Sequence, residues 1–403
     1  MIFTSSFPEV AIPDTALTPF VLQRAQELAE KPAIIDGPSG RTLTYGQLAG
    51  AIHKTAAGLA QRGFKKGDVF AIYSPNVPEY AIIFHGVALA GGVNTTINPL
   101  YTAAELAHQL NDAKAKYLLT IPLFLDKALE AAEKSDVEEV FVFGEAEGAT
   151  PFAALLDNDA PVPEIEIDSQ EDLVVLPYSS GTTGLSKGVM LTHHNLVSNL
   201  CQIEPPGIVN ENDKIIAILP FFHIYGMVVI LNMALYQGAT VVTMPRFDLE
   251  QFLQLMQDHS ISYAPLVPPI VLALAKHPLV DKYDLSNLEM ITCGAAPLSE
   301  DLARACAERL GCLVGQGYGL TETSPVTHLA PKDPARIKHA AAGLVASNTE
   351  VKVLDIETGE ELGPNQEGEI CMRGPQVMKG YLNNPDATAA CIDEDRWFHS
   401  GDI

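Results

Sequence analysis

The first 143 residues alternate between short apolar runs and longer segments in which apolar residues recur at helical spacing. The apolar runs AIID, LTY, VFAIY, VNTT, YLLT and FVF predict strands. The spacing predicts helices over residues 18–30, 45–63, 77–92 and 102–114. Thr44 fits the cap at the start of the second helix, and Gly63 fits its end. This strand–helix–strand order predicts a parallel sheet covered by helices.

The pattern changes twice further along the chain. Residues 144–170 are acidic and rich in proline, which predicts a surface connection, and the α/β alternation then resumes from 172 to about 330. From about residue 337 the runs become short and are split by glycine, proline and asparagine, which indicates a small β-rich unit. We therefore expect approximate subdomains over 1–170, 171–335 and 336–403. The final segment WFHSGDI carries no cap or tail, so we expect the natural protein to continue into a further domain.

One apolar segment is long enough to cross a bilayer, because no charged residue lies between Lys214 and Arg246. Polar and helix-breaking residues divide it into a strand, a loop, a helix and a second strand. These residues are Pro220, His223, Gly226, Asn232, Gln237 and Gly238. The segment is interpreted as buried α/β core, and membrane insertion is the minor alternative.

Composition narrows the classes of function. Fifty acidic residues against 25 basic residues give a formal net charge of −25, which disfavours binding to nucleic acid and to anionic membranes. An anionic substrate would need a local patch of amides, lysines or metal. The six cysteines form no CxxC pair, and the N-terminus resembles no secretory signal. A cytoplasmic location follows, with a peroxisomal one left open.

The segment with the strongest chemical signal is LVVLPYSSGTTGLSKGVMLTHH, residues 173–194. An apolar strand leads into a loop of glycines and small hydroxyls, and a lysine follows before the next strand. Glycines let backbone amides approach a phosphate, hydroxyls donate to its oxygens, and Lys187 supplies positive charge. The spacing differs from a Walker A loop. The candidate phosphate-binding residues are Ser179, Ser180, Gly181, Thr182, Thr183, Gly184 and Lys187.

This loop resembles the signature of the adenylate-forming superfamily of acyl- and aryl-CoA ligases, luciferases and peptide-synthetase adenylation domains. Four later segments match the superfamily in order: PFFHIYG at 220–226, GAAP at 294–297, QGYGLTE at 316–322 and WFHSGD at 397–402. The loop and the GEICMRG segment at 368–374 are most similar to 4-coumarate–CoA ligases. Ser186 stands where the loop usually has proline, and Thr292 stands where plant members carry a lysine.

The resemblance implies a fold of two helix-covered, mostly parallel sheets packed together, with a small β-barrel-like subdomain. It implies that ATP, Mg²⁺ and coenzyme A serve to convert a small carboxylic acid to an acyl adenylate and then to a thioester. The missing further domain should leave this chain poorly active by itself. Fatty-acyl-CoA ligases, luciferase-like enzymes and carrier-loading adenylation domains stay open as alternatives, as does a non-catalytic nucleotide-binding module. A monomer is expected.

The resemblance also assigns roles to residues. Catalytic roles fall on His223, Thr321, Glu322 and Lys187, with Glu322 as the Mg²⁺ ligand. Besides the loop, the nucleotide would contact Gly294, Ala295, Ala296, Pro297, Gln316, Gly317, Tyr318, Gly319, Thr321 and Asp402. The pocket for the acid would be lined by His223, Tyr225, Gly226, Gly294, Gly319, Pro325 and Val326.

Overall fold

The computed structural model describes residues 1–179 and 186–403. Its strands are β1 (Ile2–Thr4), β2 (Pro32–Asp36), β3 (Thr42–Thr44), β4 (Val69–Tyr73), β5 (Val93–Thr96), β6 (Ala115–Thr120), β7 (Glu139–Val142), β8 (Thr150–Pro151), β9 (Leu173–Ser179), β10 (Lys187–Thr192), β11 (Lys214–Ala217), β12 (Thr240–Thr243), β13 (Tyr263–Leu266), β14 (Met290–Cys293), β15 (Leu313–Gly319), β16 (Val326–Leu329), β17 (Leu344–Val345), β18 (Glu350–Leu354), β19 (Glu369–Arg373), β20 (Gly380–Tyr381) and β21 (Phe398–His399).

Helices connect most of these strands. The α-helices are α1 (Leu17–Val21), α2 (Tyr45–Gln61), α3 (Glu79–Leu89), α4 (Ala103–Asp112), α5 (Leu125–Ala132), α6 (Ala153–Leu156), α7 (His193–Gln202), α8 (Met233–Gln237), α9 (Leu249–Asp258), α10 (Pro268–Lys276), α11 (Glu300–Leu310) and α12 (Pro385–Cys391). Three 3₁₀-helices cover Pro122–Phe124, Pro278–Lys282 and Thr321–Thr323, and a π-helix covers Tyr225–Asn232.

Two large sheets form the body of the fold. One has eight strands in the order β20-β10-β9-β5-β4-β6-β7-β8, and the other has nine in the order β17-β16-β15-β14-β13-β11-β12-β2-β3. Their central strands are parallel, as the sequence predicted. The sheets do not follow the chain stretches 1–170 and 171–335, because β2 and β3 join the nine-stranded sheet while β9 and β10 join the eight-stranded sheet. Residues from each stretch therefore contribute to both sheets.

A third, smaller sheet has the order β1-β18-β19-β21, and all its pairings are antiparallel. The β-rich unit expected near the end of the chain is present. Within the described residues it is an open four-stranded sheet, so the expectation of a barrel-like unit is corrected. Its edges are β1, from the N-terminus, and the two-residue strand β21. A strand of that length offers too few backbone groups to close a barrel.

The largest apolar core lies between the two large sheets. It takes Phe70 from β4, Ile230 from the π-helix and Val241 from β12, and each is fully buried. Helix α3 lies within this core, and every residue from Tyr80 to Ala88 is buried. A helix that is apolar on all sides is stable only when protein surrounds it. The core therefore explains why α3 shows no amphipathic pattern in the sequence.

Most predicted helices are present, and one is much shorter than expected. Thr44 caps α2 in a capping box with Gln47, as the sequence suggested. The predicted helix over 18–30 ends at Val21, and separate turns follow. In those turns Arg24 donates to Glu27, to Glu211 and to the Gln237 carbonyl. The contacts to Glu211 and Gln237 hold the segment near α8, which local helical spacing does not reveal.

The uncharged segment between Lys214 and Arg246 folds as β11, a loop, the π-helix, α8 and β12. Its interpretation as α/β core is confirmed, although most of its helix is a π-helix and not an α-helix. Among the described residues, no helix combines the length and the apolar character needed to cross a membrane.

Candidate active site

The predicted site residues gather where several strands end. β11, β13, β14 and β15 run parallel in the nine-stranded sheet, so their carboxyl ends meet at one edge. The segments that follow β11, β14 and β15 hold His223, Gly294–Pro297 and Thr321–Glu322. Open α/β sheets bind ligands in the crevice at this edge.

The phosphate loop connects two strands of the other sheet. Ser179 ends β9, Lys187 begins β10, and the two residues are paired across the antiparallel ladder. Ser180, Gly181, Thr182, Thr183 and Gly184 lie outside the described residues. The two ends of the loop are thus held side by side by sheet hydrogen bonds.

The Glu322 carboxylate lies between the two sheets. It sits in the 3₁₀-helix after β15, and only 7% of its surface is exposed. The Ser179 hydroxyl and the Tyr381 hydroxyl both donate to its Oε1, each at 2.9 Å. The structure therefore brings the predicted metal ligand into contact with the predicted phosphate loop.

Sequence reasoning did not identify Tyr381 as a site residue. It lies in β20, which pairs with β10, and its ring lies 4.7 Å from the Lys187 Nζ. Burial, and after it the negative charge of Glu322, raise the pKa of this phenol far above its ordinary value. The hydroxyl therefore stays protonated and acts as a donor. No local signal marks this contact, because 59 residues separate Tyr381 from Glu322.

The loop that carries His223 is fixed by the neighbouring sheet. Asn76 donates to the carbonyls of Ala217 and Leu219 and accepts from the Phe221 amide. Thr96 donates to the Phe222 carbonyl at 2.8 Å. His223 itself is exposed at the end of this loop.

The tautomer of His223 follows from its backbone contact. Its Nδ1 accepts from the Tyr225 amide at 3.2 Å, so the proton of the neutral ring is on Nε2. The ring keeps some surface exposed, yet the surrounding protein desolvates it enough to lower its pKa. A neutral imidazole with an outward Nε2–H can donate a hydrogen bond to a carboxylate or phosphate oxygen.

Three glycines assigned to the acid pocket have packing reasons of their own. A Cβ at Gly226 would overlap the Pro220 carbonyl oxygen, and one at Gly319 would overlap the Pro325 carbonyl oxygen. A Cβ at Gly294 would lie 2.9 Å from the Tyr225 ring. The Tyr225 hydroxyl donates to the Thr292 carbonyl at 3.0 Å, which holds the ring against β14. The structure thus brings Gly294 and Tyr225, two of the predicted pocket residues, into contact.

Pro325 and Val326 follow Glu322 in the chain, and α7 contacts this segment through Asn199. The Asn199 side chain donates to the Val326 carbonyl at 2.8 Å and accepts from the Val326 amide at 3.1 Å. Thr323 donates to the Pro325 carbonyl at 2.6 Å. Thr321, at the start of the same 3₁₀-helix, is only partly buried. The backbone around Thr321 and Glu322 is therefore closely constrained.

The predicted nucleotide residues beyond the loop also lie together. The Tyr318 hydroxyl donates to Asp402 Oδ2 at 2.7 Å, although 84 residues separate them. Ala295, Ala296 and Pro297 form an exposed turn after β14, and Ala295 has a positive φ of 66°. The Gln316 side chain bonds both backbone groups of Leu298, next to that turn. Gln316 thus positions the turn, and Gly317 precedes Tyr318 in β15.

A hydrogen-bonded trio supports Asp402 from the third sheet. Glu369 Oε2, Cys371 Sγ and His399 Nδ1 lie within 4.8 Å of one another. Burial, and after it the charge of Glu369, raise the pKa of Cys371 to about 12, so the thiol stays protonated beside Glu369 and His399. Glu369 Oε1 accepts from the Gly401 amide, and the Asp402 carbonyl accepts from the Ile370 amide. The trio thus anchors the turn that carries Asp402.

Comparison with known proteins identifies the family of this chain. Residues 21–382 match the AMP-binding enzyme family. The chain belongs to this family. It is 41% identical to 4-coumarate–CoA ligase 2 of Petroselinum crispum and 42% identical to 4-coumarate–CoA ligase 5 of Oryza sativa subsp. japonica. Each match covers 100% of this chain and 76% of the relative.

Solved structures of the family share the fold. A long-chain-fatty-acid-CoA ligase from Archaeoglobus fulgidus superposes with a TM-score of 0.90 at 28% identity, over 99% of this chain and 83% of that one. A red emitting luciferase from Phrixothrix hirtus gives a TM-score of 0.87 at 30% identity, over 99% and 76%. The relatives confirm the predicted enzyme class, an AMP-forming acid–thiol ligase that uses ATP and coenzyme A to activate a carboxylic acid.

Proposed function

We propose that this chain activates an aryl carboxylic acid of the 4-coumarate class, and that Mg·ATP is held between the loop after β9 and Glu322. The names of the parsley and rice relatives support the substrate class. The observation that carries the metal proposal is the buried Glu322 carboxylate, whose Oε1 accepts the hydroxyls of Ser179 and Tyr381. A small carboxylic acid is the expected partner, and a cytoplasmic location fits such a substrate.

The Glu322 carboxylate suits Mg²⁺, a hard cation that proteins bind through one or two carboxylates together with substrate phosphates. Both hydrogen bonds that the described residues make to this group go to Oε1, so Oε2 would be the metal ligand. The bound ion would offset negative charge on the phosphates. Lys187, at the start of β10, would add a fixed positive charge on the loop side.

The reaction brings two anions together, so catalysis depends on charge neutralisation and positioning. The carboxylate of the acid attacks the α-phosphorus of ATP and pyrophosphate leaves. His223 would donate from Nε2–H to an oxygen of the acid, which orients the attacking oxygen while Tyr225 holds Nδ1. Thr321 would contact the α-phosphate. Tyr318 would lie against the adenine, and Asp402 would accept from the ribose hydroxyls.

The acid would enter beside Tyr225, Gly294 and Val326. Thr292 forms part of the wall behind Tyr225, whose hydroxyl donates to the Thr292 carbonyl. The alternative substrate is a fatty acid, which the similarity to the Archaeoglobus fulgidus ligase supports.

Calorimetry with two non-hydrolysable acyl-adenylate mimics tests the proposal. One mimic carries a 4-coumaroyl group and the other a long alkyl chain. We expect the coumaroyl mimic to bind at least 10-fold more tightly, a ratio within the range of pocket selectivity. Preference for the alkyl mimic would move the function to fatty-acid activation. Failure of both to bind would favour a non-catalytic nucleotide-binding module.

A further inference from the structure

Tyr381 contacts the two charged residues to which the proposed function gives the phosphates and the metal. Its hydroxyl donates to Glu322 Oε1 at 2.9 Å, and its ring lies 4.7 Å from Lys187 Nζ. We infer that Tyr381 is a positioning residue that sets the metal-binding orientation of Glu322 through its hydroxyl and the place of Lys187 through its ring. The inference rests on the proposed role of Glu322 as metal ligand.

The hydroxyl contact fixes which oxygen of Glu322 can meet a metal. Ser179 and Tyr381 approach the carboxylate from different strands, yet both donate to Oε1. Two donors on one oxygen prevent the carboxylate from rotating, and they direct Oε2 to the other side. Carboxylates that bind metals are commonly oriented by such hydrogen bonds, and loss of one weakens metal binding about 10-fold to 100-fold.

The Tyr381 ring contacts Lys187, the residue proposed to supply positive charge to the phosphates. An ammonium within about 6 Å of an aromatic ring is attracted to its face. Tyr381 cannot drift from Lys187, because Tyr381 is paired with Val189 across β20 and β10. The Leu382 amide donates to the Gly188 carbonyl at 2.8 Å and extends this ladder. The geometry thus ties the tyrosine to the same strand that begins with the lysine.

Because Tyr381 is buried, little water can compete for its hydroxyl, which therefore stays bonded to Glu322. Tyr381 exposes 9% of its surface, and its amide donates to the Thr388 hydroxyl at 2.9 Å. The Met378 amide donates to the Glu322 carbonyl oxygen at 2.8 Å, so the segment before Tyr381 also holds the glutamate backbone. Residues 378–381 therefore contact Glu322 at both its main chain and its side chain.

Two substitutions separate the hydroxyl from the ring. Tyr381→Phe removes only the hydroxyl, so the Mg²⁺ concentration at half-maximal binding of a non-hydrolysable ATP analogue should rise about 10-fold. Affinity for the analogue at saturating Mg²⁺ should stay within about twofold, because the ring still faces Lys187. Tyr381→Leu should show the same rise in the Mg²⁺ requirement and should also lose about 3-fold to 10-fold in affinity at saturating Mg²⁺.

Two further variants of the full chain decide between outcomes. Tyr236→Phe removes a hydroxyl that donates to Glu204 at 3.0 Å, outside the site, and should leave the Mg²⁺ requirement unchanged. Glu322→Gln should raise that requirement more than Tyr381→Phe does. Circular dichroism and urea unfolding check that each variant is folded.

The outcomes are distinct. If Glu322→Gln raises the Mg²⁺ requirement and Tyr381→Phe does not, the role of Tyr381 is wrong while the metal assignment holds. If neither variant changes it, the metal assignment fails and the role of Tyr381 fails with it. An equal effect from Tyr236→Phe would also overturn the inference, because the change would then not depend on contact with Glu322.

Discussion

Gly226 shows how a single residue can be required by packing inside a proposed substrate pocket. An added Cβ would overlap the Pro220 carbonyl oxygen in the loop that carries His223. We expect Gly226→Ala to lower the free energy of unfolding by about 1–3 kcal/mol, because overpacking a close backbone contact displaces both segments. Urea unfolding followed by circular dichroism measures this loss.

Gly50 provides a matched control for that substitution. It lies on the exposed face of α2, and a Cβ there would have no atom within 4 Å. Gly50→Ala should raise the free energy of unfolding by about 0.5–1 kcal/mol, since alanine favours the helix more than glycine does. If both variants were equally stable, the close approach of Pro220 to Gly226 would not be a real constraint.

At the scale of elements, α7 connects the proposed acid pocket to the segment between β19 and β20. Asn199 pairs with both backbone groups of Val326, and Asn195 donates to the carbonyls of Pro375 and Val377. Asn199→Ala would remove the side-chain partner of the partly buried Val326 amide and carbonyl. We expect a loss of about 2–4 kcal/mol in the free energy of unfolding. Affinity for the coumaroyl-adenylate mimic should also fall, because Val326 lines the proposed pocket.

Asn111→Ala is the comparison for this prediction. Asn111 also donates to two carbonyls, those of Ala107 and Lys134, but it lies at the end of α4 away from the site. It is exposed, so water can replace the lost contacts and the cost should stay below about 1 kcal/mol. The variant should bind the mimic as the parent chain does. Equal losses of mimic affinity in the two variants would rule out a specific role for Asn199.

The elements also show how far the sequence can be interpreted. Strands such as β4 and β6, and helices such as α2, follow from local apolar spacing and capping, so they were predictable. The π-helix at Tyr225–Asn232 was not, because seven of its eight residues are buried and apolar spacing then carries no information on the helix type. The entry of β2 and β3 into the second sheet depends on long-range pairing with β12, which a single sequence does not reveal.

The residues of the candidate site also fall into two groups, those that local sequence indicates and those that only the fold reveals. Glu322, Lys187 and Ser179 were proposed from the sequence because each lies in a recognisable local segment, and in the structure Ser179 contacts Glu322 and is paired with Lys187. Tyr381 and Asn199 were missed because each acts through contacts with residues far away in the sequence. Contacts that position a side chain depend on the fold, whereas a candidate for chemistry can be proposed from residue type and spacing alone.

At the scale of the whole molecule, acidification has two opposing effects on the free energy of unfolding. Protonation of carboxylates reduces the net charge of −25 and so weakens self-repulsion. Buried histidines act in the other direction. Burial lowers the pKa of His85 to about 3 and the pKa values of His193 and His328 to about 4. Comparison of the parent chain with a single histidine variant separates the two effects, because the carboxylates are common to both.

His193 is the histidine best suited to that comparison. Its Nδ1 accepts from the Leu17 amide at 3.1 Å, so protonation at Nδ1 would break the bond that joins α7 to α1. Its pKa of about 4 in the folded chain lies below the unfolded value of 6.5. The folded state therefore binds fewer protons between these values, and its stability is complete above pH 6.5 and falls as the pH drops toward 4. From pH 7 to pH 5 this one group should cost about 2 kcal/mol.

His193→Asn keeps an acceptor near the Leu17 amide and removes the titrating ring. We expect the loss of unfolding free energy between pH 7 and pH 5 to be smaller than in the parent chain by about 2 kcal/mol, measured by urea unfolding at both pH values. His53→Asn, at an exposed position of α2, is the matched histidine-to-asparagine control in the same measurements. A pH dependence in His193→Asn equal to that of the parent would mean that His193 is protonated without cost in the folded chain. The contact between α7 and α1 would then not depend on a neutral ring.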